Sequence, residues 1–266
     1  MPTANTQDSV VVTGATGGIG RATCLRLAQD GYNIIGQYAS RSETAAAITD
    51  EIRETGRDAT FIQADLTDFD QVTSFVDVVS ETVTGNDAIH LKGLVNNAAK
   101  LVGPPFESAS PTAFDDYFAL NVKAPFFLAQ GLAKLMCHGS SIINISSMST
   151  RFSSGGDIIY AMSKSSLEAL TFHAAEHLAK SGIRINTVLP GFTNNGHPAF
   201  ADEAVQAHMA SYSVMGSIAI PDDVAAAISF LMSDAANRTT GSVLDVSGGG
   251  ALGARRTGGS LTDLIH

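Results

Sequence analysis

SVVVTGATGGIG, residues 9–20, decides how this chain folds. The short apolar run SVVVT at 9–13 reads as a strand, GATGGIG follows it, and from Arg21 a helical pattern begins with Ala22, Leu25, Leu27 and Ala28. A strand that turns into a helix through glycines needs them for positive φ and for close backbone approach. The N–H groups at the start of the new helix then face an anion, and a pyrophosphate fits there. The spacing Gly14, Gly18, Gly20 is G-x-x-x-G-x-G rather than the commoner G-x-G-x-x-G, so the turn alone is weak evidence for a nucleotide.

The unit repeats outward from this turn. Tyr32 to Tyr38 reads as a second strand, Ser42 to Thr55 as a helix ending at Gly56, Asp58 to Gln63 as a third strand and Asp68 to Val83 as a helix. Ile89 to Val95 is a fourth strand, Pro111 to Cys137 holds a long helix, Ser141 to Ser146 is a fifth strand, and a helix begins at Tyr160. Then come a sixth strand at Ile183 to Leu189, a segment from Pro190 to Ile220, a helix from Asp222 to Met232 and a last strand at Ser242 to Val246. This alternation predicts an α/β fold, a doubly wound Rossmann-type parallel sheet of about seven strands with helices on both faces and right-handed crossovers. One domain over 1–266 is expected, with a substrate lid at about 192–220 and with the first eight residues and the end after Leu252 loosely held. Gly14, Asp65, Asn96 and Ser147 fall at or just past strand ends and so converge on one crevice.

Of the 266 residues, 44% are hydrophobic and 16% charged, an ordinary composition for a chain that buries a sizeable core. Net charge is −10 with no basic block, which argues against nucleic acid or anionic membrane as partner. The opening MPTANTQDSVVVTG lacks a basic stretch followed by a long apolar one, and no apolar run approaches 18 residues, so a cytoplasmic protein is expected. Cys24 and Cys137 give no disulfide or metal framework and are read as packing residues inside or at the end of helices.

A second constellation lies in SMSTRFSSGGDIIYAMSK, residues 147–164. Tyr160 and Lys164 form an i, i+4 pair on one helix face, and Ser147 lies 13 residues before Tyr160. An ammonium beside a phenol favours phenolate, so Lys164 is expected to draw the Tyr160 pKa down from its reference of about 10 toward neutrality. The hydroxyl then gives a proton to an oxygen, or takes one from it, and Ser147 hydrogen-bonds the same oxygen. YxxxK alone is a common surface arrangement on helices; the strand ends upstream give it meaning.

Taken together, TGATGGIG (Thr13 to Gly20), Asp65 in ADLTD, NNAA (Asn96 to Ala99), Asn121 in NVKAP, Ser147 in NISS, YAMSK with Tyr160 and Lys164, and Pro190 with Gly191 form a specific set. By them the chain resembles the short-chain dehydrogenase/reductase family, in its ordinary single-domain branch, over about residues 9–250. TGATGGIG also fits the longer epimerase and dehydratase branch; the chain length, the NNA motif and the lack of a substrate domain after the sixth strand favour the ordinary one.

The resemblance implies hydride transfer involving a nicotinamide cofactor, with Asn121, Ser147, Tyr160 and Lys164 as catalytic residues. Tyr160 would be general acid in carbonyl reduction and general base in reverse. Lys164 would bind the nicotinamide ribose and tune Tyr160, Ser147 would orient the oxygen, and Asn121 would hold a water linking Lys164 to solvent. Around the cofactor the resemblance places Gly14, Thr16, Gly18, Ile19, Gly20, Ser40, Arg41, Asp65, Leu66, Asn97, Tyr160, Lys164, Pro190, Gly191 and Thr193. Asp65 and Leu66 would flank the adenine, Asn96 would lie on the adenosine ribose side, and Thr193 at the carboxamide. A homo-oligomer, dimer or tetramer, is implied through the two long helices and the last strand, with which Ala169, Leu170, Ala174 and GSVLDVSGG are compatible. Two positions depart from the family's habit: Ala99 ends its usual NNAG, and Asn195 replaces a frequent threonine.

The end of the second strand bears on the cofactor. An acid there holds the ribose 2′-hydroxyl of NAD and repels a 2′-phosphate. Here Tyr38 is followed by Ala39, Ser40 and Arg41, and the last two are suited to a phosphate. NADP(H) is therefore expected over NAD(H), against which stands Gly17, where many NADP-preferring relatives carry a basic residue. HAAEH, with His173, Glu176 and His177, matches an inverted zinc-protease motif. Its histidines lie about 220° and 260° round the helix from Tyr160, away from the crevice, so no metal is expected. Met148, Phe152, Phe192 and Phe200 are candidates for a substrate wall.

The reading is an NADP(H)-dependent oxidoreductase that reduces a ketone to a secondary alcohol, or the reverse. Within the family the chain is similar to the 3-oxoacyl-carrier-protein reductases, a resemblance that would imply basic residues near the long helices to meet an acidic carrier. Met136, Cys137 and Glu176 stand at those places here, and a net charge of −10 opposes such docking, so a free small-molecule ketone or alcohol is expected. Three alternatives stay open: a carrier-protein reductase, a nucleotide-binding regulator without catalysis, and an epimerase or dehydratase using the same tyrosine.

Overall fold

The computed structural model describes residues 8–85, 89–101, 103–153, 156–196, 200 and 202–252. Seven strands, β1 (Asp8–Val12), β2 (Asn33–Tyr38), β3 (Ala59–Gln63), β4 (His90–Asn96), β5 (Met136–Ile145), β6 (Arg184–Pro190) and β7 (Val243–Val246), pair in the order β3-β2-β1-β4-β5-β6-β7. All six pairings are parallel. The strands read as unbroken apolar runs because both faces of the sheet are covered. Successive side chains go to opposite cores: Val10 and Val12 to one, Val11 to the other, and likewise Ile143 and Ile142.

Helices α1 (Gly18–Gln29), α2 (Ser42–Glu54) and α8 (Pro221–Met232) bury Leu27, Ile48 and Ile228 in the first core. On the other face α3 (Phe69–Thr84), α5 (Ala124–Leu132) and α6 (Ile158–Ala179) bury Phe75, Leu128 and Leu178. Two short helices, α4 (Pro111–Phe118) and α7 (Glu203–Ala210), complete the described set. Because β1 pairs with β2 on one side and β4 on the other, the winding reverses at β1, and a crevice opens beyond the carboxyl ends of β1 and β4.

Six strands begin and end within one residue of the expected bounds; the stretch from Pro111 to Cys137 does not follow expectation. It is α4, a π turn at Ala119–Lys123, and α5, which ends at Leu132. Pro125 has no N–H and its ring crowds the carbonyl of Asn121, so the regular helical ladder cannot run through it. Cys137 therefore lies in a strand, not a helix: β5 starts at Met136. The polar His138 and Ser140, and Gly139 at a left-handed φ of 86°, interrupt the apolar signal there. Asp8, expected in a loose terminus, is the buried first residue of β1. Residues 1–7, 197–199 and 201 of the expected lid, and the end after Leu252 lie outside the described residues. Among the described residues, no helix is long and apolar enough to cross a membrane.

Candidate active site

The glycine turn after β1 is shaped by two close approaches. Gly14 takes φ 61°, and a Cβ on Gly20 would collide with the carbonyl of Gly14. Gln37 pins the turn from below: its Oε1 accepts from the Gly14 N–H at 2.8 Å, while its Nε2 donates to the Ala64 carbonyl at 2.6 Å. One buried amide thus ties the ends of β1, β2 and β3. Asn97 braces the other side, donating through Nδ2 to the carbonyls of Thr13 at 2.9 Å and Gly14 at 3.1 Å. The Thr13 hydroxyl accepts from the N–H groups of Asn97 and Ala98, both at 3.0 Å. At the start of α1, Gly17 is the N-cap and no side chain caps the first N–H groups. Thr16, Gly18 and Ile19 border that end of the helix, and Gly18 packs on Asn195.

Around the turn the expected residues divide. Ser40 and Arg41 are exposed just past β2, and Arg41 Nη1 donates to the Thr16 carbonyl at 3.4 Å, laying the guanidinium against the glycine turn. Asp65 is exposed past β3, its Oδ1 accepting from the Thr67 N–H at 2.9 Å and hydroxyl at 2.7 Å. Leu66 sends its side chain into the core, so only its main chain remains for an adenine. Asn96 turns inward rather than toward a ribose. Its Nδ2 donates to Asn144 Oδ1 at 2.9 Å, Asn144 Nδ2 donates to Thr171 Oγ1 at 2.9 Å, and the Thr171 and Thr187 hydroxyls hydrogen-bond each other at 2.7 Å. This polar ladder crosses β4, β5, α6 and β6 inside the protein. Pro190 ends β6, Gly191 packs on Ser247, and Thr193 Oγ1 donates to the Gly191 carbonyl at 3.1 Å.

Tyr160, Lys164 and Ser147 meet at the end of β5. Ser147 and Tyr160 are joined by a side-chain hydrogen bond, and Ser147 Oγ accepts from the Ser149 N–H at 3.2 Å. Lys164 is 2% exposed, donates through Nζ to the Ile145 carbonyl at 2.7 Å, and stands 5.8 Å from the centroid of the Tyr160 ring. The electrostatics reverse the expectation. Burial pushes the Tyr160 hydroxyl up to about 12, the Ser147 hydrogen bond opposes that, and the Asp157 charge and Tyr117 add to it. Burial also lowers Lys164 to about 7, so the cation meant to stabilise a phenolate is itself weakened. Desolvation wins, and Tyr160 keeps its proton at neutral pH.

Asn121 sits in the π turn and is fully buried. Its Oδ1 accepts from the Lys100 N–H at 2.9 Å, and its Nδ2 donates to the Lys100 carbonyl at 3.1 Å and to Ser163 Oγ at 2.9 Å. The side chain is committed to structure and is not the group that holds a water.

Tyr212 is packed by the rings of Phe152, Phe192 and His208, with centroids 5.2, 5.0 and 5.5 Å away. Met148 and Leu189 lie in the same cluster, of which Phe200 is not a part. Ser213 Oγ donates to the Gly248 carbonyl at 2.9 Å, buttoning this wall to the turn after β7. A separate groove of about 610 Å³, lined by Phe118, Phe152, Ile158 and Met162 among others, includes neither Ser147, Tyr160 nor Lys164. Its Ala161 and Ser165 lie about 100° and 140° round α6 from Tyr160. His173, Glu176 and His177 are exposed, and no three His, Cys, Asp or Glu side chains group to hold a metal ion among the described residues.

Sequence reasoning missed Gln37, Asn144, Thr171 and Glu168, which accepts from Ser146, Thr150 and Arg151 beneath the serine turn. For Gln37 a signal existed, an amide directly after the apolar run Ile34 to Gly36.

Residues 14–250 match the family described as Enoyl-(Acyl carrier protein) reductase. The chain is similar to the 3-oxoacyl-[acyl-carrier-protein] reductase FabG of Staphylococcus aureus, 33% identical over 244 residues that cover 91% of this chain and 97% of the relative. The structure of the angucycline C-6 ketoreductase LanV with bound NADP superposes with a TM-score of 0.89 at 34% identity, covering 94% of this chain and 98% of LanV. The reductase LugOII, described as catalysing keto-reduction at C1 during lugdunomycin biosynthesis, gives 0.87 at 36% identity, over 92% and 98% of the two chains.

Proposed function

This chain belongs to the short-chain dehydrogenase/reductase family and is an oxidoreductase of the CH–OH/C=O class, and from that premise we propose that it is an NADP(H)-dependent reductase of a free ketone. The observation that carries the reading is the hydrogen-bonded hydroxyl pair of Ser147 and Tyr160 beside the buried Lys164. Bound cofactor supplies the hydride. Ser147 and Tyr160 donate to the ketone oxygen, and as that oxygen gains charge Tyr160 gives up its proton. Lys164, near neutrality in its own titration, passes the replacement proton toward Tyr160. The carbonyl of Asn121, which Pro125 deprives of its α-helical donor, holds the water that links Lys164 to solvent.

The glycine turn fits a dinucleotide: Gly14 and Gly20 keep it free of side chains, and the uncapped N–H groups of α1 suit a pyrophosphate. Asn97 and Thr13 hold that turn in shape, while Asp65, the main chain of Leu66, Pro190, Gly191 and Thr193 border the rest of the cofactor. Ser40 and Arg41 favour a 2′-phosphate, and NADP is the cofactor of the similar LanV structure.

For the substrate we favour a largely apolar, aromatic ketone. The wall of Phe152, Phe192 and Tyr212 supports this, as do the two similar reductases described as acting on ketones of natural products. The net charge of −10 disfavours an acidic carrier protein. We place the enzyme in the cytoplasm as a homo-oligomer whose interface includes the outward faces of α5 and α6, where Phe126, Met162 and Phe172 are exposed.

The test is oxidation of NADPH and NADH against aryl ketones, diketones, quinones, an enone and an acyl-carrier thioester. The expected result is fastest turnover of an aryl ketone with NADPH, giving the secondary alcohol. Fastest turnover of the thioester overturns the free-ketone reading, and reduction of only the C=C bond of the enone overturns ketone reduction.

A further inference from the structure

We infer that Glu168 is a positioning residue for the hydroxyl pair, its carboxylate fixing the turn that carries Ser147 against the helix that carries Tyr160. The inference rests on the reading above that Ser147 and Tyr160 share the ketone oxygen. α6 presents Tyr160, Lys164 and Glu168 at i, i+4 and i+8, so Glu168 lies about 80° round from Tyr160, one turn beyond Lys164. Its side chain is 14% exposed.

The carboxylate holds the serine turn on both sides. Oε1 accepts from Ser146 Oγ at 2.7 Å, directly before Ser147, and from Thr150 Oγ1 at 2.9 Å, three residues after it. Oε2 accepts from Arg151 Nη2 at 2.5 Å, and Arg151 Nη1 donates to Thr150 Oγ1 at 2.9 Å. Thr150 Oγ1 also lies 2.9 Å from the Ser147 carbonyl, and Ser147 accepts from the Thr150 N–H at 3.1 Å. A carboxylate offers the lone pairs for three donors at once, and its charge strengthens each bond.

Without it, the hydroxyl contacts of Ser146 and Thr150 are the Lys164 carbonyl at 3.4 Å and the Ser147 carbonyl of the same turn. The strongest link between the serine turn and α6 is then gone. Misplacing a reacting group by about 1 Å costs on the order of 100-fold in rate. The hydrogen bonds of Glu168 run to Ser146, Thr150 and Arg151 and none runs to Tyr160, so its effect passes through the turn that carries Ser147.

A kinetic double-mutant cycle tests this, using NADPH and the best ketone of the panel with Glu168→Ala, Ser147→Ala and the double variant. Glu168→Ala should lower kcat about 30- to 100-fold, with the NADPH Kd from cofactor fluorescence within about threefold of wild type. Glu168→Gln keeps one oxygen for Ser146 and Thr150 and should recover to within about tenfold of wild type. The double variant should be no more than about threefold slower than Ser147→Ala alone, because the two act through one group. Multiplicative losses in the double variant, or a Glu168→Ala kcat within about threefold of wild type, overturn the inference. Ser147→Ala checks the underlying reading separately: unchanged kcat there sinks the serine's role, and the inference with it. If Glu168→Ala does not fold, Arg151→Ala replaces it, with an expected loss of about three- to tenfold that is likewise absorbed by Ser147→Ala; additive losses in that pair overturn the inference.

Discussion

Lys164 gives its ammonium hydrogen bond to the carbonyl of Ile145, 2.7 Å away, which nails the first third of α6 to the end of β5. The contact holds a lysine in a site that disfavours its charge: burial lowers it from 10.5 to about 7. A folded value below the unfolded one means that the unfolded chain binds more protons between about pH 7 and 10.5, so this residue makes stability rise with pH across that window. Lys164→Met removes the dependence. We expect the variant to gain most over wild type near pH 6, by roughly 2–4 kcal/mol, with the gap closing toward pH 10 in urea melts. A gap independent of pH contradicts the assignment.

Tyr160 titrates on the other side of the scale. With its hydroxyl at about 12, the proton needed for ketone reduction is present throughout the neutral range. The phenolate needed for alcohol oxidation is scarce and grows about tenfold per pH unit. Oxidation kcat should therefore climb with a log slope near 1 from about pH 7 to 9, while reduction kcat shows no such climb. Equal profiles in the two directions would mean that another group moves the proton.

Arg41 lies against the glycine turn with its guanidinium exposed. If it holds a 2′-phosphate, Arg41→Ala should raise KM for NADPH about tenfold, a solvent-screened fraction of a charge-assisted bond, and leave KM for NADH within about twofold. A change of equal size for both cofactors would place Arg41 in the support of the turn instead.

Much of the fold was legible because the sheet is covered on both faces, which makes its strands apolar runs punctuated by glycine and polar residues. β5 was read too short because His138, Gly139 and Ser140 break that run while the backbone stays in the sheet. Pro125 was visible, yet the π turn it causes was not, since a proline two residues into a helix is equally at home. The site divides in the same way. Spacing alone brought Ser147, Tyr160 and Lys164 together, because helix periodicity and strand ends are local. The direction of the Tyr160 shift was misread because desolvation depends on what packs around the phenol, and no spacing encodes that. Asn96 was put on the adenosine ribose side by the family resemblance; its partner Asn144 is 48 residues away, and only the packed sheet reveals the bond between them.

The most direct test of the central claim is kcat for ketone reduction in Tyr160→Phe beside NADPH binding by the same variant. The hydroxyl pair predicts a loss of at least about 1,000-fold in kcat with the NADPH Kd within about threefold of wild type, because only the proton donor is removed. A variant that keeps more than about a tenth of wild-type kcat while binding NADPH normally would contradict a Tyr160-dependent reductase.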